Sequence, residues 1–129
     1  MTEEQKKALA MTFITSLQNR DPSQLRSVLT DDAVWSLPGT STVGGEAVGA
    51  DAVVTRGAYL GSHGVDFELL HVLYGWKDVA IILHNTAKQG DRILDEYLTS
   101  VIRLRGGKID RVDTYISDVP MLNRFATNH

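Results

Sequence analysis

The second half of the chain contains four runs rich in β-branched and aromatic residues: Val65–Tyr74, Val79–Lys88, Ile93–Leu104 and Ile109–Ser117. The connections between them are Gly75-Trp76-Lys77-Asp78, Gln89-Gly90-Asp91 and Arg105-Gly106-Gly107-Lys108. Each is too short for a parallel crossover, which takes a dozen or more residues, so each must reverse the chain into an antiparallel hairpin. The spacing therefore predicts a four-strand meander. A sheet must bury at least one face, and the cover has to come from elsewhere in the chain.

The first half supplies it. Leu9, Ala10, Phe13, Ile14 and Leu17 form a helical stripe, opened by Thr2 and Gln5 in capping-box spacing. Asp21-Pro22-Ser23-Gln24 repeats the start signal, with a capping acid and then proline in the first turn. Leu25, Val28 and Leu29 give this second helix its buried side, and Thr30-Asp31-Asp32 ends it. Ala33–Leu37 reads as a short strand stopped by Pro38-Gly39, and the glycine-rich segment 39–49 as a loop or irregular edge. A third helix over about 50–61 closes at Gly61-Ser62-His63-Gly64. Helices followed by a meander predict α+β architecture, with the helices on one side of a curved, mostly antiparallel sheet.

Composition narrows the function. A chain of 129 residues with 43% apolar residues and no linker reads as one domain, 1–129. The absence of cysteine excludes disulfides, thiolate metal sites and a cysteine nucleophile. The 16 acids and 13 bases are interspersed, with no basic stripe for nucleic acid. No apolar run approaches the ~18–20 residues of a membrane span, and no signal-peptide core follows the polar N-terminus. The expectation is a cytoplasmic protein with neither nucleic acid nor membrane as partner.

Hairpin arithmetic assigns the faces. In the third run Glu96, Leu98, Ser100, Ile102 and Leu104 share one side, and choosing it as the inner face leaves Arg103 and Arg105 outside. A three-residue Gln89-Gly90-Asp91 loop sets His84 opposite Glu96 and brings Ile82, His84 and Thr86 inward. Pairing Tyr74 with Val79 sets His71 opposite Ile82, turning Phe67, Leu69, His71 and Leu73 inward. A one-residue slip would invert each assignment. Leu70, Val72, Tyr74, Ile81, Leu83, Tyr97 and Val101 then make the outer face apolar too, and a homodimer through the sheet is expected to cover it.

These elements, with Leu29-Thr30-Asp31-Asp32-Ala33-Val34-Trp35-Ser36-Leu37-Pro38-Gly39, His84-Asn85-Thr86-Ala87, Ile102-Arg103-Leu104-Arg105-Gly106-Gly107-Lys108-Ile109 and Asp113-Thr114-Tyr115-Ile116-Ser117-Asp118-Val119-Pro120, resemble the SnoaL-like family over essentially the whole chain. That family belongs to the nuclear-transport-factor-2/ketosteroid-isomerase superfamily. The resemblance implies a cone-shaped barrel of that type, three N-terminal helices packed on a curved sheet, a deep apolar pocket and usually a dimer. It does not fix the chemistry, because the fold hosts isomerases, cyclases, hydrolases, dehydratases and non-enzymes. The tyrosine, base and oxyanion aspartate of ketosteroid isomerase correspond to Phe13, Leu37 and Ser100, so that mechanism is not expected. The aspartate–arginine–aspartate set of limonene epoxide hydrolase falls near Ala87, Asn85 and Thr114, and is likewise missing. Asp113 is the nearest counterpart of the cyclases' cavity aspartate, unless it points outward.

The residue types that remain suggest a pocket. His84 with Glu96 across the ladder is the candidate catalytic pair, an imidazole able to move a proton near neutral pH and a carboxylate to orient it. The competing readings are a hydrogen-bonded core histidine and a glutamate at the pocket rim. Trp35, Leu37, Tyr59, His71, Ser100 and Thr114 are candidate substrate contacts. His63 and His129 read as solvent-exposed. His71, His84 and Glu96 have no metal-site spacing, and no metal or cofactor is expected. The resulting expectation is a small apolar substrate handled by a cofactor-free isomerase, cyclase or hydrolase. A non-catalytic ligand-binding or dimerisation module is the alternative.

Overall fold

The computed structural model describes residues 1–127. The element order is α1 (Glu3–Gln18), α2 (Pro22–Ser27), β1 (Leu29–Leu37), β2 (Gly45–Val48), α3 (Ala50–Ser62), β3 (Asp66–Tyr74), β4 (Val79–Gln89), β5 (Arg92–Arg105), β6 (Lys108–Ile116) and α4 (Val119–Phe125). Among the described residues six strands form one curved, unclosed sheet in the order β2-β1-β6-β5-β4-β3. All neighbours are antiparallel except β1 and β6.

The start signals act as the sequence predicts. Thr2 and Gln5 form the reciprocal capping box of α1, and Asp21 accepts from the Gln24 backbone N–H at the start of α2. Ala10, Phe13, Ile14 and Leu17 are buried, and α1 packs on β3 and β4 while α3 packs on β1. The buried Lys6 ammonium donates to the carbonyls of Gly75 and Trp76, tying α1 to the β3–β4 turn. Arg56, buried on α3, donates to the carbonyls of Trp35 and Gly45 and so fastens α3 to β1 and β2. Burial pulls its pKa down to about 10, still well above neutrality.

Several boundaries differ from expectation. The strand predicted at Ala33 begins at Leu29, because Leu29 and the residues from Val34 onward pair in parallel with β6. Part of the glycine-rich segment is an edge strand, β2, paired with β1. Among the described residues the helices number four, the three N-terminal ones and a fourth after β6. Asp118 caps α4 by accepting from the Met121 N–H, with a proline in the first turn, which is the α2 signal used a second time. Arg92 donates to the carbonyls of Phe125 and Thr127, holding α4 against the sheet.

The decisive difference lies in the β4–β5 hairpin. Gln89 pairs with Arg92, so the turn holds two residues, Gly90 and Asp91, and not three. Gly90 has φ +63°, the left-handed first position that a type II′ hairpin turn requires. His84 therefore opposes Tyr97, and Asn85 opposes Glu96. Val79, Ile81, Leu83 and Asn85 face the core, while Ile82, His84 and Thr86 face outward. The β3–β4 register is as expected, with Tyr74 opposite Val79 and His71 opposite Ile82. A bulge between Leu69 and His71 keeps Phe67 and Leu69 inside but turns His71 and Leu73 out and Val72 in. The β5 inner face is as predicted from Glu96 to Ile102.

This register is open to a direct check. Ile81 is fully buried, and Ile81→Ala should cost about 2–5 kcal/mol in urea denaturation, the range for core truncations. Ile82→Ala, on the other face, should cost under about 1.5 kcal/mol in the monomeric chain. The reverse order would restore the register with His84 inside.

Candidate functional site

A small cavity lies between the sheet and the helices. Phe13 and Leu17 of α1, Trp35 and Leu37 of β1, and Leu60 and Phe67 close one side. Leu83 and Asn85 of β4, Leu94, Glu96, Leu98 and Ser100 of β5, Thr114 of β6 and Leu122 of α4 line the rest. The space open to the centre of a water-sized sphere is about 30 Å³, enough for one or two water molecules. Phe13 packs edge-on against the Trp35 ring, with centroids 5.7 Å apart.

Two polar groups face this space, in different conditions. The Trp35 indole N–H donates to the Thr114 hydroxyl at 2.9 Å, and Thr114 shares a second 2.9 Å bond with Ser100. Ser100 and Thr114 are cross-strand partners on β5 and β6. Two hydroxyls with one bond between them leave one hydroxyl proton free to donate, whichever of the pair supplies the shared one.

The second group is Glu96 with Asn85. They are also cross-strand partners, buried side by side. Neither Glu96 Oε2 nor Asn85 Oδ1 has a hydrogen-bond partner among the described residues. A buried polar atom left in this condition typically costs about 1–3 kcal/mol. Burial, reinforced by the negative charge of Asp118, pushes the Glu96 carboxyl from 4.5 up to about 7.

The candidates drawn from the sequence fall into three groups. Trp35, Leu37, Glu96, Ser100 and Thr114 line the cavity together. Tyr59 does not. Its hydroxyl donates to the Ala126 carbonyl and its ring stacks on His63, beside a separate crevice that also contains Arg56. His63 is half-buried and His129 lies outside the described residues.

His84 and His71 sit on the outer face, which removes the expected His84–Glu96 pair. His84 instead lies 2.6 Å from Asp95 and 3.5 Å from Glu68, stacked on Tyr97. The Asp95 hydrogen bond, helped by Glu68, raises its pKa. His71 is exposed beyond the β3 bulge. The trio His71, His84 and Glu96 is thus split between opposite faces of the sheet, and no cluster of three or more metal-binding side chains occurs among the described residues. Asp113 points outward into a cluster with Ser36, Arg103 and Arg111.

Asn85 is the site residue that the sequence reading overlooked. The signal was the hairpin loop itself: Gly90-Asp91 is an ordinary two-residue turn pair, and counting Gln89 as strand brings Asn85 opposite Glu96.

Comparison with known proteins agrees with this architecture. The SnoaL-like domain model matches residues 10–112. Bal32a, from a soil-derived mobile gene cassette, superposes with a TM-score of 0.89 at 25% identity, covering 95% of this chain and 97% of that one. An NTF2-like protein from Burkholderia xenovorans LB400 gives 0.82 at 22% identity, with 99% of each chain covered. An LEH-like epoxide hydrolase from M. tuberculosis gives 0.75 at 18% identity, covering 95% of this chain and 90% of that one. The latter two likenesses are of fold alone. No curated protein matches the chain. No helix among the described residues is long and apolar enough to cross a membrane.

The raised Glu96 pKa makes stability depend on pH. An acid whose folded pKa lies above its unfolded value stabilises fully below the unfolded value and loses that contribution as pH rises through the folded one. The interval from 4.5 to about 7 corresponds to about 3 kcal/mol. Between pH 4.5 and pH 8.5 the wild type should lose about that much relative to Glu96→Gln in urea unfolding. Parallel pH profiles for the two proteins would contradict a buried, unpaired Glu96.

Proposed function

Because the chain belongs to the SnoaL-like domain family, we propose that it is a cofactor-free enzyme that moves a proton on a small apolar substrate, in an isomerisation or ring closure, with Glu96 as the acid–base group. The observation that carries this reading is the unpartnered Glu96 carboxyl beside Asn85, held near neutrality in a buried, mostly apolar cavity. A proton-transfer group works best when its pKa lies near the operating pH, because both of its forms are then available.

The chemistry follows from the groups facing the cavity. In its ionised form Glu96 takes a proton from the carbon next to a carbonyl. The hydroxyl proton that Ser100 and Thr114 leave free donates to the oxygen on which charge develops, and Trp35 holds that pair in place. Glu96 then returns the proton to another carbon, or the carbanion attacks a second carbonyl of the same molecule, opening its C=O π bond, and Glu96 protonates the alkoxide that forms. Asn85 orients the substrate beside the carboxyl. In a hydrolytic variant the same carboxylate takes its proton from water. His84 has no part in either scheme, since it lies on the other face of β4.

A non-catalytic ligand-binding or dimerisation module is the second reading, favoured by Leu37 and Ser100, which stand where ketosteroid isomerase carries its carboxylates. The exposed Leu70, Leu73, Tyr97 and Tyr115 on the sheet's outer face support the further proposal of a homodimer through that surface. His84 would then meet the partner rather than a substrate.

The test is a pH titration of Glu96 by carbon-13 NMR together with a screen of carbonyl substrates. Glu96 should titrate near 7, and any turnover should rise with pH through the same midpoint. Glu96→Gln should reduce kcat/KM by about 10²–10⁴-fold, whereas His84→Ala should leave it within about twofold in the protein as it assembles. Apolar ligands bound tightly and released unchanged, with no turnover across the screen, would favour the binding module.

A further inference from the structure

Above the cavity the three N-terminal helices leave a crevice of about 280 Å³. Leu17 of α1, Leu25 of α2 and Val54 and Gly57 of α3 line it, with Arg20 and Asp21 at the α1–α2 turn. Leu17 is the one residue this crevice shares with the Glu96 cavity. The crevices at the β3–β4 turn, at the N-terminus and beside Arg56 share no wall residue with that cavity. Leu17 thus belongs to the walls of both an open void and a nearly filled one.

Two glycines shape this passage. A Cβ on Gly57 would lie 2.9 Å from Leu17 Cδ2 and 3.2 Å from Leu25 Cδ2, so the missing side chain is what makes the notch in which Leu17 rests. Glycine is otherwise a poor choice inside a helix. Arg20 holds the outer lip. It has φ +53° at the end of α1, a left-handed position that favours glycine or asparagine, and yet a long cationic side chain is placed there. Its stem lies against Gly61, where a Cβ would come within 3.2 Å of Arg20 Cγ. The guanidinium makes no ion pair or side-chain hydrogen bond with the described residues, whereas Arg26, Arg103, Arg105 and Arg111 are all paired with carboxylates.

We propose that this crevice is the entrance to the Glu96 cavity, that Leu17 is its gate and a specificity-determining residue, and that Arg20 at the lip selects apolar substrates carrying a carboxylate or similar anion at the end that stays outside. The inference rests on Glu96 being the reacting group only in naming its ligand a substrate. The passage itself is read from the walls of the two voids. Swinging Leu17 out of the Gly57 notch joins the voids, so an elongated molecule can lodge its apolar end near Glu96 while its charge remains in water beside Arg20.

The test uses 4-phenylbutyrate and its uncharged amide as probes, with the Trp35 indole N–H as NMR reporter inside the cavity and the exposed Trp76 indole as control. In the wild type 4-phenylbutyrate should move the Trp35 signal saturably and leave Trp76 in place. Leu17→Ala should tighten binding about tenfold, with Leu17→Val as the milder truncation if the alanine variant does not fold, and Leu17→Phe should abolish the Trp35 response. Arg20→Gln should weaken 4-phenylbutyrate at least fivefold and leave the amide unchanged. Equal Trp35 responses in the wild type and both Leu17 classes would place the entrance elsewhere, such as past Leu122, and overturn the gate. Equal weakening of both probes by Arg20→Gln, or no saturable response in any variant, would overturn the ligand class. Repeating the titrations in Glu96→Gln separates the two proposals. An intact gate there, with Glu96 titrating at its ordinary value in the wild type, removes the reading of Glu96 alone.

Discussion

Gly90 and Asp91 reverse the chain between β4 and β5 with nothing to spare, and the side-chain period of two carries that constraint down both strands. It brings Val79, Ile81 and Leu83 under the helices on one strand and Leu94, Leu98 and Ile102 on the other. The register one residue away would exchange the first three for Ala80, Ile82 and His84. Each large aliphatic side chain contributes about 1.5–3 kcal/mol on full burial, so the alternative gives up several kcal/mol and buries an imidazole as well. Turn geometry and apolar burial select the same pairing. Asn85 beside Glu96 is a by-product of that agreement, and the cavity's chemistry follows from it.

Within this frame the two polar groups of the cavity are unequal. Each member of the Trp35–Thr114–Ser100 chain has a partner within it, which fixes the chain in the wall while one hydroxyl proton stays available. Glu96 and Asn85 carry buried oxygens that the described residues do not satisfy. A buried carboxyl kept only for packing could be replaced by an apolar residue of similar size at little cost or with a gain. Glu96 and Asn85, buried side by side with unsatisfied oxygens, are the observation that supports a site rather than a plain core, and a fold of this kind leaves its chemistry to a few wall residues rather than to the architecture.

The helices, the meander, the inner face of β5 and the β3–β4 register are legible in the sequence because each has strong local chemistry: caps, a helical stripe, and arginines that must face water. Glu96 and Ser100 are legible from that inner face of β5, Trp35 with Leu37 from their two-residue spacing on β1, and Thr114 from its alternation with Asp113 and Tyr115. His84 was misplaced by one residue of loop length, a quantity that periodicity alone does not supply and that the ability of Gly90 to take left-handed φ decides. His71 was misplaced by a bulge, which leaves no mark in an alternating run of leucines and valine. Tyr59 sits on the predicted helix but on the side facing Ala126, a matter of how α3 rotates against β1 under the pull of Arg56. The short helix α4 repeats the Asp-and-proline start of α2 and was readable on that ground.

The charge arrangement explains why a carboxyl can stay near neutrality here. Arg103, Arg105 and Arg111 all face outward and are neutralised by Asp78, Asp32, Asp113 and Glu46. His84 is drawn to its charged form by Asp95 and Glu68 on that same outer surface. The buried cations on the helical side are engaged by carbonyls, Lys6 by those of Gly75 and Trp76 and Arg56 by those of Trp35 and Gly45, with the Arg56 guanidinium 5.5 Å from the Trp35 ring centroid. None of these groups acts on Glu96, whose surroundings are apolar side chains, the neutral polar groups of Asn85, Ser100 and Thr114, and the like charge of Asp118. Alternation along β4 and β5 thus does two jobs with adjacent residues. It sends His84 and Asp95 into a solvated ion pair and Asn85 and Glu96 into a buried cavity, and a cation on the inner face would undo the second by holding Glu96 ionised.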